Sequence, residues 1–529
     1  MNNPFYSKRQ SIYAKNGVVA TSEGLAAQAG LEILKKGGNA VDAAVATAAA
    51  LTVVEPTSNG IGSDCFALVY MNDELYGLNS SGYSSRNINI DVLKERGLKE
   101  MPVSGIVPIT VPGTPKGWAT LNEKFGKLTL LECLTPAINL ARDGFVISET
   151  VGFYFKRAIE IYKKRNEGEM FEEFFNVFTK EDGSAYEAGD LFQSELHAYT
   201  LEEIGKTNGD SFYKGELASK IASFMKKYDG FIDEADLSEY ESEIVKPISV
   251  NYKGYDICEI PPNGQGITAL MALNLLQDEE FVFGDIMTYH KQIEALKIAF
   301  SDTLKYVTDP KFMKVSSDFL LSKEYVKLRK KDITNKAVLH EPIDYKSSGT
   351  VYLATADQEG NMVSFIQSNY MGFGSGIVIE GTGIAMQNRG HTFSLEEDHH
   401  NKLEPRKRTY HTIIPGFIMK DEKAVGPFGV MGGFMQPQGH LQVVMNMIDF
   451  DMDPQAALDA PRFRWDEKLK VSVENSFDTY KAQKLRELGH HITIDLYGGG
   501  FGRGQIIRKI ESGYKAGTET RCDGFIAYY

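Results

Sequence analysis

Residue types able to do chemistry are spread along this chain, and their spacing excludes several mechanisms before it suggests one. Ten histidines occur, yet no Gly-x-Ser-x-Gly turn is followed by an ordered acid and histidine, so a Ser-His-Asp hydrolase is not indicated. The four cysteines, Cys65, Cys133, Cys258 and Cys522, lack the close spacing of a zinc site or redox pair, and no disulfide framework is expected. Asp398-His399-His400 has metal-ligand residue types, but it lies in a charged stretch without a second ligand group and reads as a solvated loop. Phosphate loops are not evident, and neither a metal nor an organic cofactor is implied.

The elements that must position any site are legible in outline. An Ala-rich run from Ala43 to Ala50, just after Gly37-Gly38-Asn39, favours a buried helix within 18–54, because small side chains permit close packing. The run Gly60-Ile61-Gly62-Ser63-Asp64 then forces a turn before the strand-like Cys65 to Met71. Helical apolar spacing returns in 119–144 and 264–305. Between about 155 and 245 the charges alternate in sign, which predicts solvated, peripheral helices. Val351 to Ala356 and Met362 to Ser368 read as strands joined by an Asp357-Gln358-Glu359-Gly360-Asn361 turn, so that Thr350 opens a hairpin. Helices alternating with strands, and hairpins gathered in the last third, predict an α/β (α+β) protein with much antiparallel sheet.

Bulk properties narrow the partners. With 42% apolar and 24% charged residues among 529, a large core is available. A formal charge of −14 disfavours nucleic acid, which requires clustered Lys and Arg. The first residues, Met1 to Arg9, carry no apolar signal-like stretch, and no later run reaches the ~18 apolar residues of a membrane span, so a cytoplasmic location is expected.

Several motifs in order then carry a resemblance: Gly37-Gly38-Asn39-Ala40-Val41-Asp42-Ala43-Ala44, Val54-Glu55-Pro56, Val111-Pro112-Gly113-Thr114, Gly144-Phe145-Val146, Pro261-Pro262-Asn263-Gly264-Gln265-Gly266, Glu294-Ala295 with Phe300, Gly432-Gly433, and Ala460-Pro461-Arg462-Phe463. Together they resemble the γ-glutamyltranspeptidase family of N-terminal-nucleophile hydrolases across nearly the whole chain. The resemblance implies a four-layer αββα sandwich. It also implies a precursor that cuts itself between Gly349 and Thr350, giving 1–349 and 350–529 as two intertwined fragments of one heterodimer; any higher homo-oligomer is left open.

In that family the nucleophilic threonine precedes an Asp and a Gly-Asn turn at the spacing seen from Thr350 to Asp357 and Gly360-Asn361. An isolated threonine would ordinarily be just a β-branched strand residue; the register singles out Thr350. Its hydroxyl is a weak nucleophile until a base sits beside it, and the α-amine freed by cleavage, titrating near ~8, is such a base. Small neighbours at Ser347, Ser348 and Gly349 would let the hydroxyl reach the Gly349 carbonyl. The resemblance also makes Gly432 and Gly433 the oxyanion donors, Ser368 the hydroxyl partner of the nucleophile, and Gly372-Phe373-Gly374-Ser375-Gly376 a mobile loop bordering the pocket.

Departures from the family concern the substrate. The arginine that grips the glutamate α-carboxylate is missing from Leu78-Asn79-Ser80-Ser81, and Arg86 could replace it only if its loop folded back. Where acidic and amide groups would hold an ammonium, Gln387-Asn388-Arg389-Gly390-His391-Thr392 places Arg389 and Thr392; arginine repels an ammonium and binds carboxylates in bidentate fashion. Tyr370 replaces an asparagine, His411-Thr412 replaces a serine pair, and the Phe393 to Lys407 loop is too short for a lid. Tyr370, Arg389, His411 and Thr412 are therefore the expected substrate-binding residues. These features, with Gln436-Pro437-Gln438, resemble a divergent branch that includes oxamate amidohydrolase. The expected activity is hydrolysis of a small amide bearing a carboxylate; γ-glutamyl hydrolysis or transfer from glutathione, and an inactive binding homologue, are the alternatives.

Overall fold

The computed structural model describes residues 9–165, 167–340, 349–496 and 499–529. Among these residues two seven-stranded sheets dominate. One runs Phe525–Tyr528, Val18–Thr21, Gly349–Ala356, Met362–Tyr370, Asp64–Met71, Glu74–Ser80 and Glu243–Val245. The other runs Ile12–Ala14, Gly513–Thr518, Arg503–Ile510, Lys423–Met431, Gly416–Lys420, Tyr255–Glu259 and Ile248–Tyr252. Each sheet therefore mixes strands from before and after the Gly349–Thr350 bond.

Side-chain alternation along a strand fixes the layering. Along Gly349–Ala356, Tyr352, Ala354 and Ala356 face the opposite sheet, where they meet Phe417, Met431 and Ile507. Val351 and Leu353 face the other way, onto the helices. Both faces are buried along both hairpin strands, including the polar Ser364, Gln367, Ser368 and Asn369. Ala40–Val54 covers this sheet and is buried at all 15 positions. Gly266–Leu276 and Met435–Ile448 cover the second sheet. The result is helix, sheet, sheet, helix.

The motif residues mostly build this frame. Asn39 caps Ala40–Val54 in a reciprocal capping box with Asp42. Asp357 accepts from the Ala40 amide at 2.8 Å through one oxygen and from the Glu359 and Asn361 amides through the other, tying the hairpin turn to that helix.

The 155–245 stretch departs from the peripheral reading. Phe155, Phe174, Phe178 and Phe192 are fully buried around Phe373, whose ring lies 4.5 Å from that of Phe178. The alternating charges describe only the outer face of these helices. The short Phe393 to Lys407 stretch is likewise anchored, with Phe393, Leu395 and Leu403 packed on Ile88, Leu93 and Met101. Among the described residues no helix is long and apolar enough to cross a membrane.

Candidate active site

Thr350 lies at an irregularity in the hairpin. Gly349 pairs with Tyr370 and Val351 with Gln367, so the register slips across Thr350. Its hydroxyl donates to Ser368 Oγ at 3.1 Å, Ser368 donates to the Gly349 carbonyl at 2.6 Å, and the Tyr370 amide donates to Ser368 Oγ at 2.8 Å. The one donor and two acceptor positions of that serine are thereby all engaged. Ser368 therefore polarises the carbonyl of the bond that Thr350 would attack. Gly349 is closely packed: a Cβ there would lie 3.0 Å from both the Gly372 nitrogen and Ser58 Cα, so a larger residue would need this backbone to give way. Ser347 and Ser348 lie outside the described residues.

Gly432 and Gly433 follow the strand Lys423–Met431 with φ of +131° and +60°, conformations that favour glycine. Met435–Ile448 begins two residues later, so its positive end adds to the field at this turn. Among the described residues neither glycine amide has an acceptor. Gln265 holds the turn from below. Its Nε2 donates to Gly433 O at 2.8 Å and to Thr412 O at 2.5 Å, and its own amide donates to His411 O. The Pro261 to Gly266 motif is thus a brace between the glycine turn and the His411-Thr412 segment.

Arg389 is buried, with 1% of its surface exposed. One nitrogen, Nη1, donates to Thr412 Oγ1 at 2.8 Å, and the guanidinium lies 4.5 Å over the Tyr370 ring. Nε and Nη2 have no acceptor among the described residues. Burial draws the guanidinium down to about 10, opposed by the charge of Asp64. Two unsatisfied donors on a buried cation are costly unless something arrives to accept from them.

Asp64, in sequence only the end of a glycine turn, is part of the site. It pairs across the sheet with Ser368, accepts from the Gly82 and Gly113 amides, and meets His411 Nε2 at 3.1 Å. Burial pushes its carboxyl up to about 7, against the pull of Arg389. The same burial holds His411 neutral, so His411 supports Asp64. The signal was a lone acid opening the apolar strand Asp64–Met71.

The cation that reaches the Ser80-Ser81 segment comes from later in the chain rather than from Arg86. Arg86 is turned to Asp236 at 3.1 Å, whereas Arg408 reaches back to donate to Ser81 O at 3.1 Å and pairs with Glu243 at 2.8 Å.

Two cavities flank this centre. The first, of about 460 Å³, is lined by Gly349, Gly372, Gly432 and one face of the helix Glu149–Arg165. The second, of about 810 Å³, is lined by Tyr370, His391, Thr392, Tyr410 and Phe434. Tyr370, held at φ +74°, lies over Arg389 and also lines the second cavity. His399 and His400 border that cavity and are half-buried, so the loop is not fully solvated; burial takes His400 down to about 4. Potential metal ligands converge among the described residues at His290, Glu294 and His490. There, however, both His290 nitrogens are hydrogen-bonded and Glu294 pairs with Lys297 at 2.7 Å.

A family model described as Gamma-glutamyltranspeptidase matches residues 26–529. The chain is 36% identical to the glutathione hydrolase-like YwrD proenzyme of Bacillus subtilis, over 97% of this chain and 99% of that protein. It is 29% identical to the oxamate amidohydrolase proenzyme of Klebsiella pneumoniae, over 98% and 99%. The cephalosporin acylase structure from Bacillus halodurans superposes with a TM-score of 0.96 at 53% identity, covering 99% of this chain and 98% of that one.

Proposed function

The chain belongs to the γ-glutamyltranspeptidase family, and from that premise we propose that it is a self-processing amidohydrolase whose nucleophile is Thr350 and whose acyl substrate ends in a carboxylate. In the precursor the Thr350 hydroxyl attacks the Gly349 carbonyl, which Ser368 polarises, and water opens the resulting ester. The freed α-amine then takes the proton from the hydroxyl as Thr350 attacks a substrate amide and gives it to the departing amine; a water deprotonated by the same α-amine opens the acyl ester, releasing the acid and restoring the hydroxyl. Gly432 and Gly433 offer their amides to the oxyanion, a contribution worth ~3 kcal/mol per donor in comparable sites.

The observation that carries the substrate reading is the pair of acceptor-less donors on buried Arg389. A carboxylate fits them, and an ammonium does not. The assay that tests it compares ammonia release from oxamate, and cleavage of glutaryl amides, with glutamate release from glutathione. Faster turnover of the amine-free carboxylates is expected; a strong preference for glutathione would favour the activity named for the Bacillus subtilis relative and remove the assignment of Arg389.

Asp64 makes the binding pH-dependent. Its carboxyl, raised to about 7, is neutral below that pH and leaves Arg389 free for substrate. As pH rises through 7 it ionises and repels the incoming carboxylate. KM for a carboxylate substrate is thus expected to rise between pH 6 and pH 8, on the order of tenfold for one unit of coupling, and Asp64→Asn should flatten the profile. The same shift favours the fold at low pH: its contribution is complete below the ordinary carboxylate range and is lost as pH climbs through about 7.

A further inference from the structure

Gly432 and Gly433 form a turn that their own lack of side chains leaves loose. At φ +131° and +60° nothing on either residue restricts rotation, so amides aimed at an oxyanion must be held by bonds from outside the pair. Two such bonds come from the helix that follows: the Met435 amide donates to Gly432 O at 3.0 Å, and the Gln436 amide to Gly433 O at 3.1 Å. The C=O and N–H of one planar trans peptide point in opposite directions, so fixing Gly432 O toward the helix turns the Gly433 N–H away from it. A third bond, from Gln265 Nε2 to Gly433 O at 2.8 Å, is shorter than either and crosses 168 residues of chain.

The side chain of Gln265 is spent on this turn rather than on its own helix. It is fully buried, lines neither cavity, and stands at the N-cap of Gly266–Leu276 without capping it, where a polar side chain ordinarily accepts from the first helical amides. Its two Nε2 hydrogens are instead divided between the main-chain carbonyls of Gly433 and Thr412, and its Oε1 accepts from the Tyr410 hydroxyl at 3.2 Å. Self-cleavage draws on a different group. The carbonyl under attack there is that of Gly349, which accepts from Ser368 at 2.6 Å. Among the described residues the side-chain bonds of Gln265 run to Tyr410, Thr412 and Gly433, and none reaches that hairpin.

We propose that Gln265 is the positioning residue of the oxyanion turn: it orients Gly432 and Gly433 for acyl transfer to and from Thr350, and it takes no part in self-cleavage. The inference rests on the reading that Thr350 is the nucleophile and that these two amides receive the oxyanion. It makes the two reactions of Thr350 separable. Ser368 serves the cut that makes the enzyme, and the Gln265 clamp serves the turnover that follows.

The test joins a gel, kinetics and two ligands. Gln265→Met keeps the size of the side chain and removes its donors. It is expected to yield both fragments as completely as wild type on a denaturing gel, yet to hydrolyse glutaryl 4-nitroanilide with kcat about 10²-fold lower at nearly constant KM, the scale of one lost oxyanion donor. Gln265→Asn keeps the amide one methylene short; it should fall between, and it carries the same comparisons should the methionine variant not fold. Binding of 4-boronobutanoate and of glutarate is read by calorimetry. Boron accepts a lone pair from Thr350 Oγ into its vacant orbital, the proton passes to the α-amine and no bond to boron breaks, so a boronate oxygen takes the oxyanion position; glutarate forms no such adduct. Wild type should bind the boronate at least about 10²-fold tighter than glutarate. In Gln265→Met most of that preference should vanish while glutarate affinity holds. A wild type that binds the two alike removes the oxyanion reading, and the proposal with it. A wild-type preference that both variants retain in full, or loss of processing in both, overturns the proposal alone.

Discussion

Thr350→Ala is expected to remain one 58.8 kDa chain on a denaturing gel, while wild type resolves into fragments 1–349 and 350–529. Turnover should fall by at least about 10⁴-fold, the scale for removing a nucleophile that works as a unit with its base. The two losses share one atom. Self-cleavage needs the hydroxyl that now donates to Ser368, and catalysis needs that hydroxyl together with the α-amine which cleavage exposes. Alanine removes the hydroxyl and leaves Ser368 its bonds to Gly349 O and the Tyr370 amide, so the fold should persist. Thr350→Ser keeps the hydroxyl and should keep both activities. Two fragments from the alanine variant, or turnover by it, would move the nucleophile elsewhere.

What the sequence could and could not say about this site follows from the range of the interactions. The hairpin around Thr350 was readable because its strands and turn are contiguous, and Asp357 and Asn361 bond within that turn. The placement of that hairpin was not locally encoded. Its neighbour strand, Val18–Thr21, comes from the other end of the chain, and Leu353 pairs with Thr21. The same limit explains the arginines. Reading along the chain selects Arg86 as the nearest cation to Ser80, but the fold brings Arg408 back to Ser81 and commits Arg86 to Asp236. One acid beside two glycines carries only turn chemistry in the sequence; cross-strand pairing is what sets Asp64 beside Ser368. In the 155–245 helices charge alternation reports the wet face alone, whereas Phe155, Ile159 and Tyr162 repeat at helical spacing on the dry one.

Arg389→Gln separates recognition from chemistry. If Arg389 grips the carboxylate equally in the ground state and the transition state, its loss should raise KM with little change in kcat. Truncating one partner of a buried, hydrogen-bonded charge pair costs about 2–5 kcal/mol, so kcat/KM for a carboxylate amide should fall on the order of 10²-fold or more. Self-cleavage should not change, because the Gly349–Thr350 bond presents no carboxylate to Arg389. A gel showing complete processing together with a collapsed kcat/KM is therefore the expected pair of results, and it also certifies that the variant folds. Arg389→Lys should fall between, since lysine keeps the charge but loses the planar two-donor edge. If KM stays at the wild-type value in Arg389→Gln, the guanidinium serves only to balance Asp64 and the carboxylate reading fails. If processing fails as well, Arg389 acts on the site as a whole through Thr412 and the brace that joins Thr412 to Gly433. The separation predicted here reflects how the site is built: nucleophile and polarising serine share one hairpin, while the substrate cation enters from a different segment.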